Sequence, residues 1–196
     1  MATIGLVVCG GKSIRMGTDK SQLQYFGIPQ AEHVYNLLMP FCEKVFISCN
    51  KSQSEILNKQ KILTDLPHYE NIGPMASLLT AFDQHPGNDF LLIGCDYPFL
   101  TSQDILNFFS KTKRDSLAAA FYNDAGKYEP MLAWYAKETA PLLLKRFEEK
   151  HYSLQYFLQE IKAEKYIPES KEVMISVDTR EDFERVKALI NVDNTK

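Results

Sequence analysis

Chemistry in this chain is concentrated first in the segment Leu6-Val7-Val8-Cys9-Gly10-Gly11-Lys12-Ser13-Ile14-Arg15-Met16-Gly17-Thr18-Asp19-Lys20. The glycine pair removes side chains where the backbone must turn, so a ligand can approach bare N–H groups. Lys12, Arg15 and Lys20 follow, with Asp19 the one acid among them. Exposed amides surrounded by positive charge suit a polyphosphate. Two familiar phosphate loops are excluded. A P-loop requires a glycine five positions before Gly11, where this chain has Leu6. The G-x-G-x-x-G fingerprint fails because the glycine after Gly10 and Gly11 is Gly17. Further candidates are Asn50, Asp65, Asp96 and Asp178, each directly after an apolar run. A carboxylate in that position is either a cap or turn residue or a ligand for a hard cation, and Asp96 and Asp178 qualify for both. Gly73-Pro74 reads as a helix start at which backbone comes close to a nucleotide.

Positioning these residues requires a sheet. Apolar, β-branched runs predict strands over 3–9, 44–49, 62–64, 90–95, 116–122 and 172–177. A further strand over 131–135 follows the turn cluster Asn123-Asp124-Ala125-Gly126 closely enough to be antiparallel. Helical periodicity and caps predict helices over 31–41, 52–58, 75–85, 140–150 and 154–161. Two more follow Thr101 and Thr179, the last ending at Ile190. The alternation predicts an α/β fold, a doubly wound, mostly parallel sheet with helices on both faces and one antiparallel strand. Such sheets bind ligands outside the carboxyl ends of their strands. Gly10, Asn50, Asp65, Asp96 and Asp178 are all expected at that edge.

A chain of 196 residues is long enough for one full α/β core, and the reading is a single domain over 1–190 with a frayed tail over 191–196. A net charge of −3 and the absence of sustained basic clusters argue against nucleic acid as a partner. No run approaches the ~18 apolar residues of a membrane span, and a cytoplasmic location is expected. Cys9, Cys42, Cys49 and Cys95 lack C-x-x-C spacing and sit in or beside apolar segments, as buried thiols do.

The first segment resembles the L-A-G-G-x-S-x-R-M-G-x-D-K signature of molybdenum cofactor guanylyltransferases, a nucleotidyltransferase family, at Gly10, Gly11, Ser13, Arg15, Met16, Gly17, Asp19 and Lys20, with Val8 and Cys9 replacing leucine and alanine. Gly94-Cys95-Asp96-Tyr97-Pro98-Phe99-Leu100 resembles the family's C-D-x-P-F-L, whose aspartate holds magnesium. Gly73-Pro74-Met75-Ala76-Ser77 resembles G-P-L-A-G, with a serine that either narrows the space or adds a hydrogen bond. Ser176-Val177-Asp178-Thr179 resembles N-x-N-T-x-E, and Tyr128-Glu129-Pro130-Met131-Leu132-Ala133 more loosely H-P-x-x-A-L-W. The resemblance spans essentially the whole chain. It implies a three-layer, Rossmann-like fold of the nucleotide-diphospho-sugar transferase type, and transfer of GMP from Mg-GTP to the phosphate of molybdopterin or its molybdenum form. Nucleotide-binding residues would be Val8, Cys9, Gly10, Gly11, Lys20, Asn50, Asp65, Gly73, Pro74 and Asp96. Catalysis would fall to Lys20, Arg15 and Asp96, a Mg2+ cofactor to Asp96 and Asp178, and the acceptor to Ser176 and Asp178. Asp65 corresponds to an aspartate that contacts GTP in the family, and proteins of molybdoenzyme maturation are further implied partners.

No histidine is needed for this chemistry. An acceptor phosphate has a second pKa of about 6, so its oxygen is already ionised at neutral pH. Three other readings share features of the sequence: a CTP-using relative, a transferase acting on a sugar phosphate, and a carrier that binds nucleotide and cofactor without chemistry.

Overall fold

The computed structural model describes residues 3–9, 19–50, 62–113 and 115–193, with side chains through 190. The glycine loop at 10–18 and the predicted helix over 52–58 therefore lie outside the described residues, and with them Gly10, Gly11, Lys12, Ser13 and Arg15.

Seven strands form one sheet: β1 (Thr3–Val8), β2 (Lys44–Cys49), β3 (Ile62–Thr64), β4 (Asp89–Gly94), β5 (Ala118–Tyr122), β6 (Tyr128–Tyr135) and β7 (Glu164–Tyr166), in the order β3-β2-β1-β4-β6-β5-β7. β6 is antiparallel to both of its neighbours, β4 and β5, and the other pairings are parallel. Among the described residues the helices are α1 (Gln30–Leu38), α2 (Pro74–Gln84), α3 (Ser102–Lys111), α4 (Ala140–Glu148), α5 (Leu154–Glu160) and α6 (Arg180–Asp193). No described helix is long and apolar enough to cross a membrane.

The strand sequences explain the layering. In β1 the side chains of Ile4, Leu6 and Val8 pack on one face with Met75, Leu78 and Leu79 of α2, Leu143 of α4, and Leu154 and Phe157 of α5. Val7 points to the other face, where Ala31, Val34 and Leu38 of α1 and Ile105 and Phe108 of α3 complete a second core. Gly5 permits the approach of α1, because a Cβ there would lie 3.0 Å from the Cys42 sulfur and 3.2 Å from Leu38. Sheet order reverses at β1, which has β2 on one side and β4 on the other. The carboxyl ends of β1 and β4 thus border a topological switch point.

Two expectations change. Residues 172–177 do not join the sheet. Lys171–Met174 forms a 3-10 turn capped by the Ser170 hydroxyl, and the chain beyond it donates its Val177 N–H to the Asp96 carbonyl at 2.9 Å instead of to a strand. Asp178 is therefore delivered by a docked loop, not by a strand end. The true edge strand on that side is β7, and it is parallel to β5. The last helix continues through Asp193.

Candidate active site

Asp96 sits just past β4, and its strand ladder is prolonged by the Cys95 N–H, which donates to the Val8 carbonyl at 3.1 Å. On the other side of β1, Cys9 N–H donates to Ser48 O at 2.9 Å, so the ends of β2, β1 and β4 are held level. The Asp96 side chain folds back over the strand. A Cβ on Gly94 would stand 2.5 Å from Asp96 Oδ1, a separation that real Cβ atoms essentially never adopt. Gly94 is thus the space into which the carboxylate fits.

Among the described residues, that Oδ1 is buried and has no hydrogen-bond partner. Leaving a buried acceptor unpaired costs about 1–3 kcal/mol, so the folded chain holds an oxygen that a ligand would satisfy. Burial raises the Asp96 carboxyl above the ordinary carboxylate range, and the nearby Lys20 ammonium opposes that shift. Lys20 Nζ lies 4.0 Å from Asp96 Oδ2 and 2.5 Å from Asp178 Oδ1. Ser176 donates its hydroxyl to Asp178 Oδ2 at 3.3 Å. Lys20 itself is placed by a 3-10 turn over Lys20–Gln22, which the Asp19 carboxylate caps by accepting from Ser21 N–H at 2.9 Å. Three segments far apart in sequence thereby meet: the end of the glycine loop, the end of β4 and the loop before α6. That loop is fixed from behind by a small core of Tyr25, Val177, Val186 and Ile190, with Leu23, Phe99 and Phe183 against it.

Behind Asp96, Tyr97 donates its hydroxyl to Glu129 Oε2 at 3.2 Å, and Asn123 donates to Glu129 Oε1 at 2.7 Å. Because β6 runs antiparallel, its beginning lies at the same edge as the ends of the parallel strands, which brings Glu129 there. Burial, with Asp96 and Glu129 nearby, pushes the Tyr97 phenol well above its ordinary pKa, so it remains a donor.

The part of the edge where nucleotide contacts are expected is built separately. Asp65 follows β3, and the Ser77 hydroxyl of α2 donates to its Oδ1 at 3.4 Å. Burial raises the Asp65 carboxyl, against the lowering effect of that bond. Gly73 precedes α2 at φ +71°, ψ −153°, a left-handed setting that favours glycine, and Pro74 fills the first helical position, where no N–H is required. Asn50 follows β2 at the same edge and is exposed. Val8 ends β1 and Cys9 follows it, both buried.

The expected residues therefore form two groups along one edge. Lys20, Asp96, Asp178 and Ser176 are joined by direct contacts. Asp65, Gly73 and Pro74 lie by the N-terminal end of α2, towards β3, with Asn50 at the end of β2. The sequence reading did not single out Gly94, Glu129 or Ser48, whose hydroxyl is buried beside Asp65. Glycine at the end of an otherwise bulky strand is the signal that points to Gly94. The thiols stay within the core: Cys9 hydrogen-bonds Cys95, which together with burial raises its pKa, and burial pushes Cys49 up to about 11.

Residues 5–165 match the family model described as MobA-like NTP transferase domain. The chain belongs to this family. It is thereby a nucleotidyltransferase of the MobA-like type, and the expected three-layer fold agrees. The MobA-like chain is 35% identical over 144 residues to the molybdenum cofactor biosynthesis bifunctional protein of Synechocystis sp., a match that covers 73% of this chain and 40% of that protein. It spans well under half the length of that relative. To a probable molybdenum cofactor guanylyltransferase of Halalkalibacterium halodurans it is 25% identical over 161 residues, 80% of this chain and 81% of the other. The crystal structure of molybdopterin-guanine dinucleotide biosynthesis protein A from Archaeoglobus fulgidus superposes with a TM-score of 0.79 at 21% identity, covering 97% of this chain and 99% of that one, and so shares its fold.

Proposed function

We propose that this protein transfers GMP from GTP to the phosphate of molybdopterin, or of its molybdenum form, giving the guanine dinucleotide cofactor and pyrophosphate. The observation that carries the reading is the Asp96 carboxylate, set at the switch point with a buried Oδ1 that has no partner among the described residues, and with Lys20 reaching both its other oxygen and Asp178. The names of the relatives, one of them a probable guanylyltransferase, support the choice of substrates.

The donor set suits a hard divalent cation. Asp96 and Asp178 offer only carboxylate oxygens, and a buried oxygen without a partner among the described residues is what such an ion would take up. Those two residues would hold Mg2+, which when bound supplies Lewis-acid neutralisation of phosphate charge.

The chain's own residues have separable tasks. The acceptor phosphate arrives ionised, so no side chain need remove a proton, and the work is alignment and charge stabilisation. Lys20, tied to Asp178, presents an ammonium at the end of the glycine loop, where negative charge builds on the leaving pyrophosphate. Arg15, in the same loop, would add a second cation. Ser176 and Asp178 lie where an acceptor could be met. At the other end of the crevice Asp65 would accept from guanine's adjacent ring N–H and amino group. Cytosine and adenine present a lone pair at the corresponding ring position, so they would be rejected by repulsion.

The test is pyrophosphate release with Mg2+ and molybdopterin, using GTP, CTP and ATP in turn, for wild type and Asp96→Asn. GTP should be the preferred donor, and the substitution should lower turnover by orders of magnitude with the fold intact. A preference for CTP, or an Asp96→Asn protein of near-normal turnover and unchanged Mg2+ dependence, would contradict the reading.

A further inference from the structure

We propose that Ser77 is a positioning residue for base selection: its hydroxyl fixes the Asp65 carboxylate in the orientation that accepts two adjacent N–H donors from a purine edge. The inference rests on the proposed use of GTP and goes beyond it, because it assigns the discrimination to a residue of α2 that would not touch the nucleotide.

Three observations converge on it. Ser77 is 3% exposed, and its hydroxyl reaches Asp65 Oδ1 at 3.4 Å, so its polar atom is spent on that carboxylate. One turn further along α2, Thr80 Oγ1 accepts from Leu66 N–H at 3.0 Å, so the residue after Asp65 is tied to the same helix. The third is Ser48. It is fully buried in β2 and close enough to Asp65 for its hydroxyl to lower that carboxyl's pKa. Two residues after Phe46, Ser48 shares the face that α2 covers. Asp65 therefore lies among hydroxyls from two elements, on a backbone pinned to α2. Of the buried side chains of α2 only Ser77 and Thr80 are polar, and each finds its partner at the Asp65–Leu66 segment.

Ionisation gives the arrangement its consequence. A carboxylate accepts both guanine N–H bonds, whereas a protonated carboxyl opposes one of them with its own proton. Burial and Glu70 raise the Asp65 pKa, Ser77 and Ser48 lower it, and the Asp65 charge in turn helps to raise the Cys49 thiol on the other face of β2. Removing the Ser77 hydroxyl takes away a bond to the charged form, so the folded-state pKa rises and nucleotide binding is lost at a higher pH than in wild type.

The experiment measures KM and kcat for GTP as a function of pH, and KM for ATP, in wild type, Ser77→Ala, Ser77→Thr and Asp65→Asn. Ser77→Ala should raise KM for GTP roughly three- to tenfold with kcat little changed, and should move the acid limb of 1/KM to higher pH. Ser77→Thr, which keeps the hydroxyl, should restore both. KM for ATP should not rise in parallel. If Ser77→Ala folds poorly, equilibrium binding of a fluorescent GTP analogue to Ser77→Gly gives the same readout. An unchanged GTP KM and acid limb in the hydroxyl-free variants would overturn the inference. If Asp65→Asn alone then lost GTP preference, the base-reading assignment would stand without Ser77. A wild-type enzyme indifferent to the base would remove both.

Discussion

Replacing Gly94 by alanine probes the site without substituting any residue proposed to do chemistry. The added Cβ would meet Asp96 Oδ1 at 2.5 Å, Tyr97 Cε2 at 3.2 Å and Met131 Cβ at 3.3 Å. The two carbons belong to packed neighbours, so the carboxylate is the group that yields. An ordinary carbon–oxygen contact is longer by roughly 1 Å, and a displacement of that size in a reacting constellation can cost about 100-fold in rate. The fold loses less. Forcing one methyl into a packed site costs about 1–3 kcal/mol, and rotation of a partly exposed carboxylate relieves part of it. The assay is a Mg2+ titration of pyrophosphate release, beside a melting curve. The expected result is a kcat lowered by about two orders of magnitude and a weaker Mg2+ dependence, with melting shifted by only a few degrees. Turnover and Mg2+ half-saturation within about twofold of wild type would show that the position of Asp96 is not what the site depends on.

Other substitutions separate the remaining roles. Asp65→Asn should keep the fold and lose about 1–3 kcal/mol of GTP preference, read as kcat/KM for GTP against CTP and ATP. Lys20→Ala should depress kcat far more than Lys162→Ala, a change at an exposed turn; equal effects would count against the charge-stabilising role of Lys20. Thr179→Ala removes the cap of α6, in which the Thr179 hydroxyl accepts from Asp182 N–H at 3.1 Å and donates to Asp182 Oδ2 at 2.8 Å. The melting temperature should fall by about 2–4 °C. Those same bonds hold the Asp182 carboxyl below its ordinary pKa, so their stabilisation is present above that ordinary value and fades as pH falls through the lowered one. The melting difference between wild type and variant should shrink in the same direction.

The parts of the fold that were legible in sequence are those in which one physical demand dominates. β1, β2 and β4 are buried on both faces, so unbroken apolar runs revealed them, and the capping boxes at Thr101 and Thr179 marked two helix starts. The short β7 hides because two of its three residues, Glu164 and Lys165, are charged. The pattern over 172–177 imitates a strand for a different reason: Val173 and Val177 do point inward, but into separate cores, and the Val177 amide is claimed by Asp96. At the site, Asp96 and Asp65 could be found because a carboxylate after an apolar strand is conspicuous. The contact between Lys20 and Asp178 joins residues 158 apart and has no local signature. Ser77 was visible as a departure from G-P-L-A-G, yet only the position of Asp65 shows that the serine adds a hydrogen bond.

Movement of GMP to a phosphate acceptor at the Asp96 site can be followed by label from GTP. Protein is incubated with Mg2+, molybdopterin and GTP labelled at either the α- or the γ-phosphorus, and the products are separated and weighed by mass spectrometry. The expected result is α-label in a guanine dinucleotide of the pterin, γ-label in pyrophosphate, and loss of both products in Asp96→Asn. Label from the γ-position in the pterin product, or no labelled pterin from GTP while CTP yields one, would contradict it.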